Sequence, residues 1–136
     1  MQRAIEAALE RSLLKEWRTQ KTVAELIEKH FRNTPGGLPG NDDTGTMSTW
    51  VLFSMMGFYP HCPGDMSYIL TTSAFDKITI QLDERYYTEK ELVIEKTGSG
   101  KYIRQIKVGG KKTKQYFLNH ADLLKAGTIT FDTYNR

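Results

Sequence analysis

The chain has 136 residues, 39% of them apolar and 26% charged, so one compact unit, or two small subdomains sharing a core, is the largest organisation it supports. Its 19 basic and 16 acidic residues give a formal charge of +3, too mild to call for nucleic acid or an anionic membrane surface, and no run approaches the roughly 18 apolar residues of a membrane span. The single Cys62 excludes an internal disulfide and, without His-rich company, a zinc site; packing is its expected role.

The first residues, Met1-Gln2-Arg3-Ala4-Ile5-Glu6, lack the apolar stretch of a signal peptide, and the expectation is a cytoplasmic chain unless a longer parent is exported. From Gln2 to about Glu16, Ile5, Ala8, Leu9, Leu13 and Trp17 recur at three- and four-residue spacing, which predicts an amphipathic helix. A second helical segment is expected near Thr22, where Thr22-Val23-Ala24-Glu25 has capping-box spacing and Val23, Leu26, Ile27 and Phe31 share a side. Nothing between Arg18 and Lys21 forces a break, so two separate helices or one bent helix both stay open.

Next comes a loop over residues 36–45 with glycine at 36, 37, 40 and 45 and proline at 35 and 39. The glycines allow positive φ and the prolines fix their own φ, so a shaped loop is expected. Thr46 to Met56 is apolar nearly all round and stops at Gly57, which predicts a helix buried on most faces, covered by the β region or by a partner.

Past Phe58-Tyr59-Pro60-His61-Cys62-Pro63-Gly64, read as a turn-forming run, the period changes to that of strands. Strands are predicted at Tyr68 to Thr71, Lys77 to Leu82, Glu91 to Glu95 and Tyr102 to Val108. Gly109-Gly110 supplies a hairpin turn into Lys111 to Leu118, Asn119 to Leu124 forms a helical turn closed by Gly127, and Thr128 to Phe131 returns as a strand. The basic stretch from Lys101 to Lys114 is read as a solvated strand face. The fold class is therefore α+β, with a helical segment over 1–57 followed by a small antiparallel sheet or sandwich over 58–136.

Asn41-Asp42-Asp43 is the stretch with spare chemistry. Adjacent carboxylates diverge, so one can serve a cleft as base or metal ligand while the other caps a helix. Residue types alone favour the capping role, and the EF-hand spacing is absent. His30, His61 and His120 show no metal-binding spacing, and Ser48 and Ser54 lack a nucleophile elbow. Trp50, Phe53 and Phe58 read as core, with Trp17 and Tyr59 nearer segment ends and better placed to stack on a sugar.

The residues resemble glycoside hydrolase family 92, the calcium-dependent exo-α-mannosidases. The likeness runs from about Trp17 to Phe131 and is densest in Gly37-Leu38-Pro39-Gly40-Asn41-Asp42-Asp43-x-Gly45-x-Met47-Ser48-x-Trp50, Phe53-Ser54, Gly57-Phe58-Tyr59-Pro60 and Pro63-Gly64. Trp17-Arg18-Thr19-Gln20 is similar to the family's Trp-Lys-Thr-Gln, and Asn119-His120-Ala121-Asp122-Leu123 with Gly127-Thr128 to its closing β segment. The resemblance implies that the helices are the last part of an (α/α) barrel, that terminal α-linked mannose is removed with inversion, and that Ca²⁺ is the cofactor. It implies a general base at Asp43, with Asp42 as runner-up, and sugar contact at Asn41 and Gly40.

The family takes its general acid and much of its calcium site from upstream, including an Asn-Glu-Pro-Ser-His-His stretch that Met1 to Glu16 does not contain. The expectation is thus a C-terminal portion that is inactive alone, with mannose-containing glycans as ligands and self-association or docking to the barrel portion as its contacts. The alternative is a carbohydrate-binding or subunit-docking module without catalysis. Calcium ligands within the chain are not assigned.

Overall fold

A computed structural model describes residues 16–62 and 64–135. The helix expected from Gln2 lies outside the described residues up to its last one, Glu16. There helix α1 begins and runs unbroken as Glu16–His30. Thr22 therefore sits inside a helix and caps nothing: of the two alternatives, the chain through Arg18 to Lys21 is continuous, as the lack of glycine or proline there allows, and a separate start at the capping-box spacing is not formed. A loop and a short 3₁₀ turn, Asp43–Gly45, lead into α2, Thr46–Met56. No helix among the described residues is long and apolar enough to cross a membrane.

The remainder is two sheets and one short helix. The strands are β1 Phe58–Pro60, β2 Ser67–Leu70, β3 Lys77–Gln81, β4 Glu91–Thr97, β5 Tyr102–Val108, β6 Lys111–Thr113, β7 Phe117–Asn119 and β8 Thr128–Tyr134, with α3, His120–Ala126, before the last. One sheet has the order β1-β2-β7 and the other β3-β4-β8-β5-β6. All pairs are antiparallel except β4 with β8, which run parallel. The class is α+β.

Two stretches differ from their predicted form. Phe58–Pro60 is a strand, because Phe58 pairs with Leu70 while its ring is buried in the core, and Pro60 needs no donor at a sheet edge. Lys111 to Leu118 is two strands in different sheets. The Gln115 amide donates to Thr113 Oγ1 at 3.0 Å, turning the chain off the large sheet, and Tyr116 O then accepts from Leu70 N at 2.8 Å. Cys62 is exposed in the β1–β2 connection, so its expected packing role is also corrected.

The main core lies between the sheets and α3. β8 supplies Ile129 and Phe131, both at 0% exposure, and Phe58, Leu70, Ile94, Ile106 and Leu123 close around them. Alternation along β8 puts Ile129, Phe131 and Thr133 on one face, as a half-buried strand requires. A smaller cluster joins the helices: Val23 and Trp50 are buried with Leu26, Ile27, Val51 and Tyr59 against them, and Phe31 stacks on Trp50 at 5.6 Å.

Two links fasten helices to sheets. Helix α2 ends at Gly57, φ 93°, whose carbonyl accepts from Thr71 N at 2.8 Å while Met55 O accepts from Ala74 N at 2.9 Å. A side chain at Gly57 would meet Thr71 O and Ser73 N at 3.0 Å, so close approach and left-handed backbone both select glycine. Helix α1 is fastened by Gln20, only 2% exposed, whose Oε1 accepts from Ile103 N at 2.9 Å. β6 pairs with β5 only from Ile106 to Val108, and Gln20 satisfies an amide on the edge that β6 leaves open. Lys101 Nζ to Glu28 Oε2, 2.9 Å, adds an exposed pair between the same parts.

Helix α2 is not covered on most faces. Of its residues only Trp50 and Ser54 are fully buried; Phe53 and Met56 pack on the sheet core and Leu52 is 59% exposed. Gln20→Leu should cost about 1–3 kcal/mol, because it strands the Ile103 N–H in a buried setting. Denaturant unfolding together with amide exchange at Ile103 measures this; unchanged stability and protection would show that the link is dispensable.

Candidate active-site loop

The loop after α1 is closed by its own backbone. Arg32 N donates to Gly37 O at 2.9 Å and Gly37 N to Thr34 O at 2.8 Å, and a Cβ at Gly37 would fall 1.9 Å from Arg32 O. Only glycine fits there. The chain then passes Leu38, Pro39 and Gly40, φ 148°, before Asn41 and Asp42.

Helix α2 starts with a deficit. Its N-cap position is Gly45, φ 75°, which has no side chain to accept from the first helical amides, and Thr44 before it is also left-handed at φ 58°. The acceptor comes from further back. Asp42 Oδ1 accepts from Met47 N at 2.7 Å and Ser48 N at 3.2 Å, and the Ser48 hydroxyl donates to Asp42 Oδ2. These are the second and third amides of the helix, the ones an N-cap side chain ordinarily satisfies. Asp42 thus caps α2 across a two-residue left-handed bend, and the capping role foreseen for the loop falls to this residue.

The Ser48 hydroxyl, with the Ser48 and Met47 amides, holds the Asp42 carboxyl below the ordinary aspartate range, against a smaller opposing effect of burial. Asp43 differs in kind. Its backbone carbonyl accepts from Thr44 Oγ1 at 2.6 Å and Thr46 Oγ1 at 3.1 Å, which pins the main chain. Its side chain is exposed and has no hydrogen-bond or ion-pair partner among the described residues. The two neighbouring carboxylates therefore diverge, one inward to the helix and one outward.

Gly40 and Asn41 are exposed on the same loop. With Arg32, Thr34, Leu38 and Asp42 they line an open cleft of about 480 Å³; Asp43 is beside this cleft in sequence but not in its lining. Sequence reasoning missed two contributors. Ser48 is weighed there only as a nucleophile without an elbow and as part of the family motif, although its place six residues after Asp42 is what lets it reach the carboxylate. Arg32 carries no motif at all. Its Nη1 donates to Glu28 O at 2.7 Å and Phe31 O at 2.9 Å, bonding to the carbonyls that α1 leaves open at its end.

The histidines serve elsewhere. His30 is exposed at the end of α1, His61 Nε2 lies 3.5 Å from Asp65 Oδ2, and His120 Nδ1 pairs with the Tyr68 hydroxyl at 2.7 Å. Among the described residues no three His, Cys, Asp or Glu side chains converge. Calcium takes six to eight oxygen ligands, so the exposed Asp43 carboxylate and Asn41 amide do not by themselves make a calcium site.

A carboxyl held low in the fold stabilises it above its unfolded pKa, and that stability is lost as pH falls through the folded value. Asp42→Asn should therefore lower Tm at pH 7, with the gap to the unmodified chain closing as pH falls below 3.8, the ordinary aspartate value. Asp43→Asn should leave Tm unchanged at either pH. Equal losses from both substitutions would contradict the division between the two carboxylates.

The model of the glycosyl hydrolase family 92 catalytic domain matches residues 12–135. The chain is 29% identical over 111 residues to an uncharacterized secreted glycosidase of Arthroderma benhamiae, covering 80% of this chain and 14% of that protein. Its fold is similar to a family GH92 α-mannosidase of Bacteroides thetaiotaomicron solved with mannoimidazole, with TM-score 0.81 and 27% identity over 96% of this chain and 17% of that one. It is also similar to a family GH92 inverting mannosidase of the same bacterium, with TM-score 0.74 and 29% identity over 86% and 16% of the two chains. The chain therefore spans about a sixth of the solved relatives' length, and over that span it belongs to glycosyl hydrolase family 92.

Proposed function

We propose that this chain carries the general-base loop of an inverting α-mannosidase acting on glycans that end in α-linked mannose, with Asp43 as the base. The observation that carries the reading is the contrast within the loop. Asp42 is bound to three donors at the start of α2, whereas the exposed Asp43 carboxylate has no partner among the described residues and is available to a water molecule.

Inverting hydrolysis needs such a base. Asp43 takes a proton from water as the water oxygen attacks the anomeric carbon from the face opposite the leaving oxygen, and a second carboxyl group about 6.5–9.5 Å from the base protonates that leaving oxygen. Asp42 does not suit the acid role, since its environment favours the ionised form. The acid then comes from another segment of the enzyme, as do most ligands of the calcium ion that the sequence resemblance implies. Asn41 and Gly40, exposed beside the base, are assigned to sugar contact.

A second reading, a carbohydrate-binding or docking module without catalysis, is favoured by the exposure of Leu52 on an otherwise apolar helix. Activity separates the two. The 136-residue chain alone should show little or no turnover of an α-mannoside with or without Ca²⁺. In an intact enzyme carrying this portion, Asp43→Asn should lower kcat by about 10²–10⁴-fold with KM little changed. Robust turnover by the isolated chain would contradict its dependence on another segment. Full activity of the Asp43→Asn enzyme would remove Asp43 from the mechanism.

A further inference from the structure

The cleft beside the base loop contains a cation that the reaction scheme does not use. Arg32 is exposed and lines the cleft with Leu38, Gly40 and Asn41, while Gly36 and Gly37 contribute backbone without side chains. Its guanidinium is held in place: Nη1 places both of its protons on carbonyls, Glu28 O at 2.7 Å and Phe31 O at 2.9 Å. An arginine has five N–H donors in a planar fork, so the Nε proton and the two Nη2 protons remain without partners among the described residues. Anchoring one arm of the fork lowers the entropic cost of using the others.

The surroundings select the ligand class. Asp42 lines the same cleft and Asp43 follows it, so an anion would approach two carboxylates as well as one guanidinium. A neutral polyol meets no such penalty. Neighbouring ring hydroxyls accept from a guanidinium fork and donate to the Asn41 amide oxygen, the Leu38 side chain offers an apolar surface to ring C–H groups, and the glycine backbone admits a ring at close range.

We propose that Arg32 binds a pair of neighbouring hydroxyls on a neutral sugar ring seated in the cleft lined by Leu38, Gly40 and Asn41, and so helps determine which glycan the site accepts. This rests on the reading of the loop as glycan-facing and adds to it a residue that no part of that reading assigns. The ring is either the terminal mannose or the sugar next to it, and the choice of probe tells these apart.

The test is an NMR titration of the ¹⁵N-labelled 136-residue chain with methyl α-mannoside, an α-linked mannobiose and, separately, inorganic phosphate, following the Arg32 Nε–H and the Asn41 side-chain amide. The expected result is a saturable shift of both groups with sugar and none with phosphate. An equal response to both sugars assigns the terminal ring, and a response to mannobiose alone assigns its neighbour. Arg32→Lys keeps the charge but loses the fork, and should weaken sugar binding by about tenfold at unchanged Tm.

Shifts at Asn41 with none at Arg32, and Arg32→Lys binding as tightly as the unmodified chain, would overturn the assignment while leaving the glycan-facing loop intact. Saturation by phosphate but not by sugar would overturn it in favour of an anion site. No shift with either sugar would overturn both the assignment and the loop's role in sugar contact, without bearing on whether Asp43 acts as base in an intact enzyme.

Discussion

A helix that starts after a glycine has no side chain of its own with which to satisfy its first amides, and α2 is in that position. The Asp42 carboxylate supplies the missing acceptor from three residues upstream of Gly45, and the rest of the loop follows from this. Asp42 reaches back over the helix start across a left-handed bend at Thr44 and Gly45, and Asp43, between them, is left exposed. The same contact that stabilises the helix thus distinguishes the two adjacent carboxylates: Asp42 accepts from three donors at the helix start, and the Asp43 side chain has no partner among the described residues.

The loop is only as well placed as its two anchors. Helix α1 is held by the buried Gln20 amide on the open edge of β5, and by the Val23, Phe31 and Trp50 contacts with α2. Helix α2 is held at its far end by Gly57, where its last carbonyls are satisfied by the segment after β2. The loop therefore spans two helices that are each fastened to the β region, and the β region contributes by positioning. Gly36, Gly37 and Gly40 all line the cleft; close approach to Arg32 O requires glycine at 37, and positive φ favours it at 36 and 40.

Much of this was legible in the sequence, and what was not has definite causes. The helix ending at Gly57, the alternating strands and the Gly109-Gly110 hairpin follow from periodicity and turn chemistry, which are local. The Thr113–Gln115 turn marks the split of Lys111 to Leu118 locally, but the pairing of Tyr116 with Leu70, and of Phe58 with the same distant residue, has no local signal. Local spacing at Thr22 misled, because a capping box inside a continuous helix has no free amides to cap. Residue types suggested a cap and a spare carboxylate at Asp42 and Asp43, yet only the hydrogen bonds to Met47 and Ser48 assign the cap to Asp42. Arg32 was invisible, since its part in the cleft arises from where α1 ends and not from any motif.

The commitment of Asp42 to the helix is the point on which the rest turns, and a carbon-detected pH titration of its carboxyl group measures it directly. The expected inflection lies below 3.8, the ordinary aspartate value, and rises when Ser48→Ala removes the hydroxyl that lowers it most. An Asp42 carboxyl titrating at or above 3.8 and unmoved by Ser48→Ala would contradict the capping contact, and with it the assignment of Asp43 as the free carboxylate.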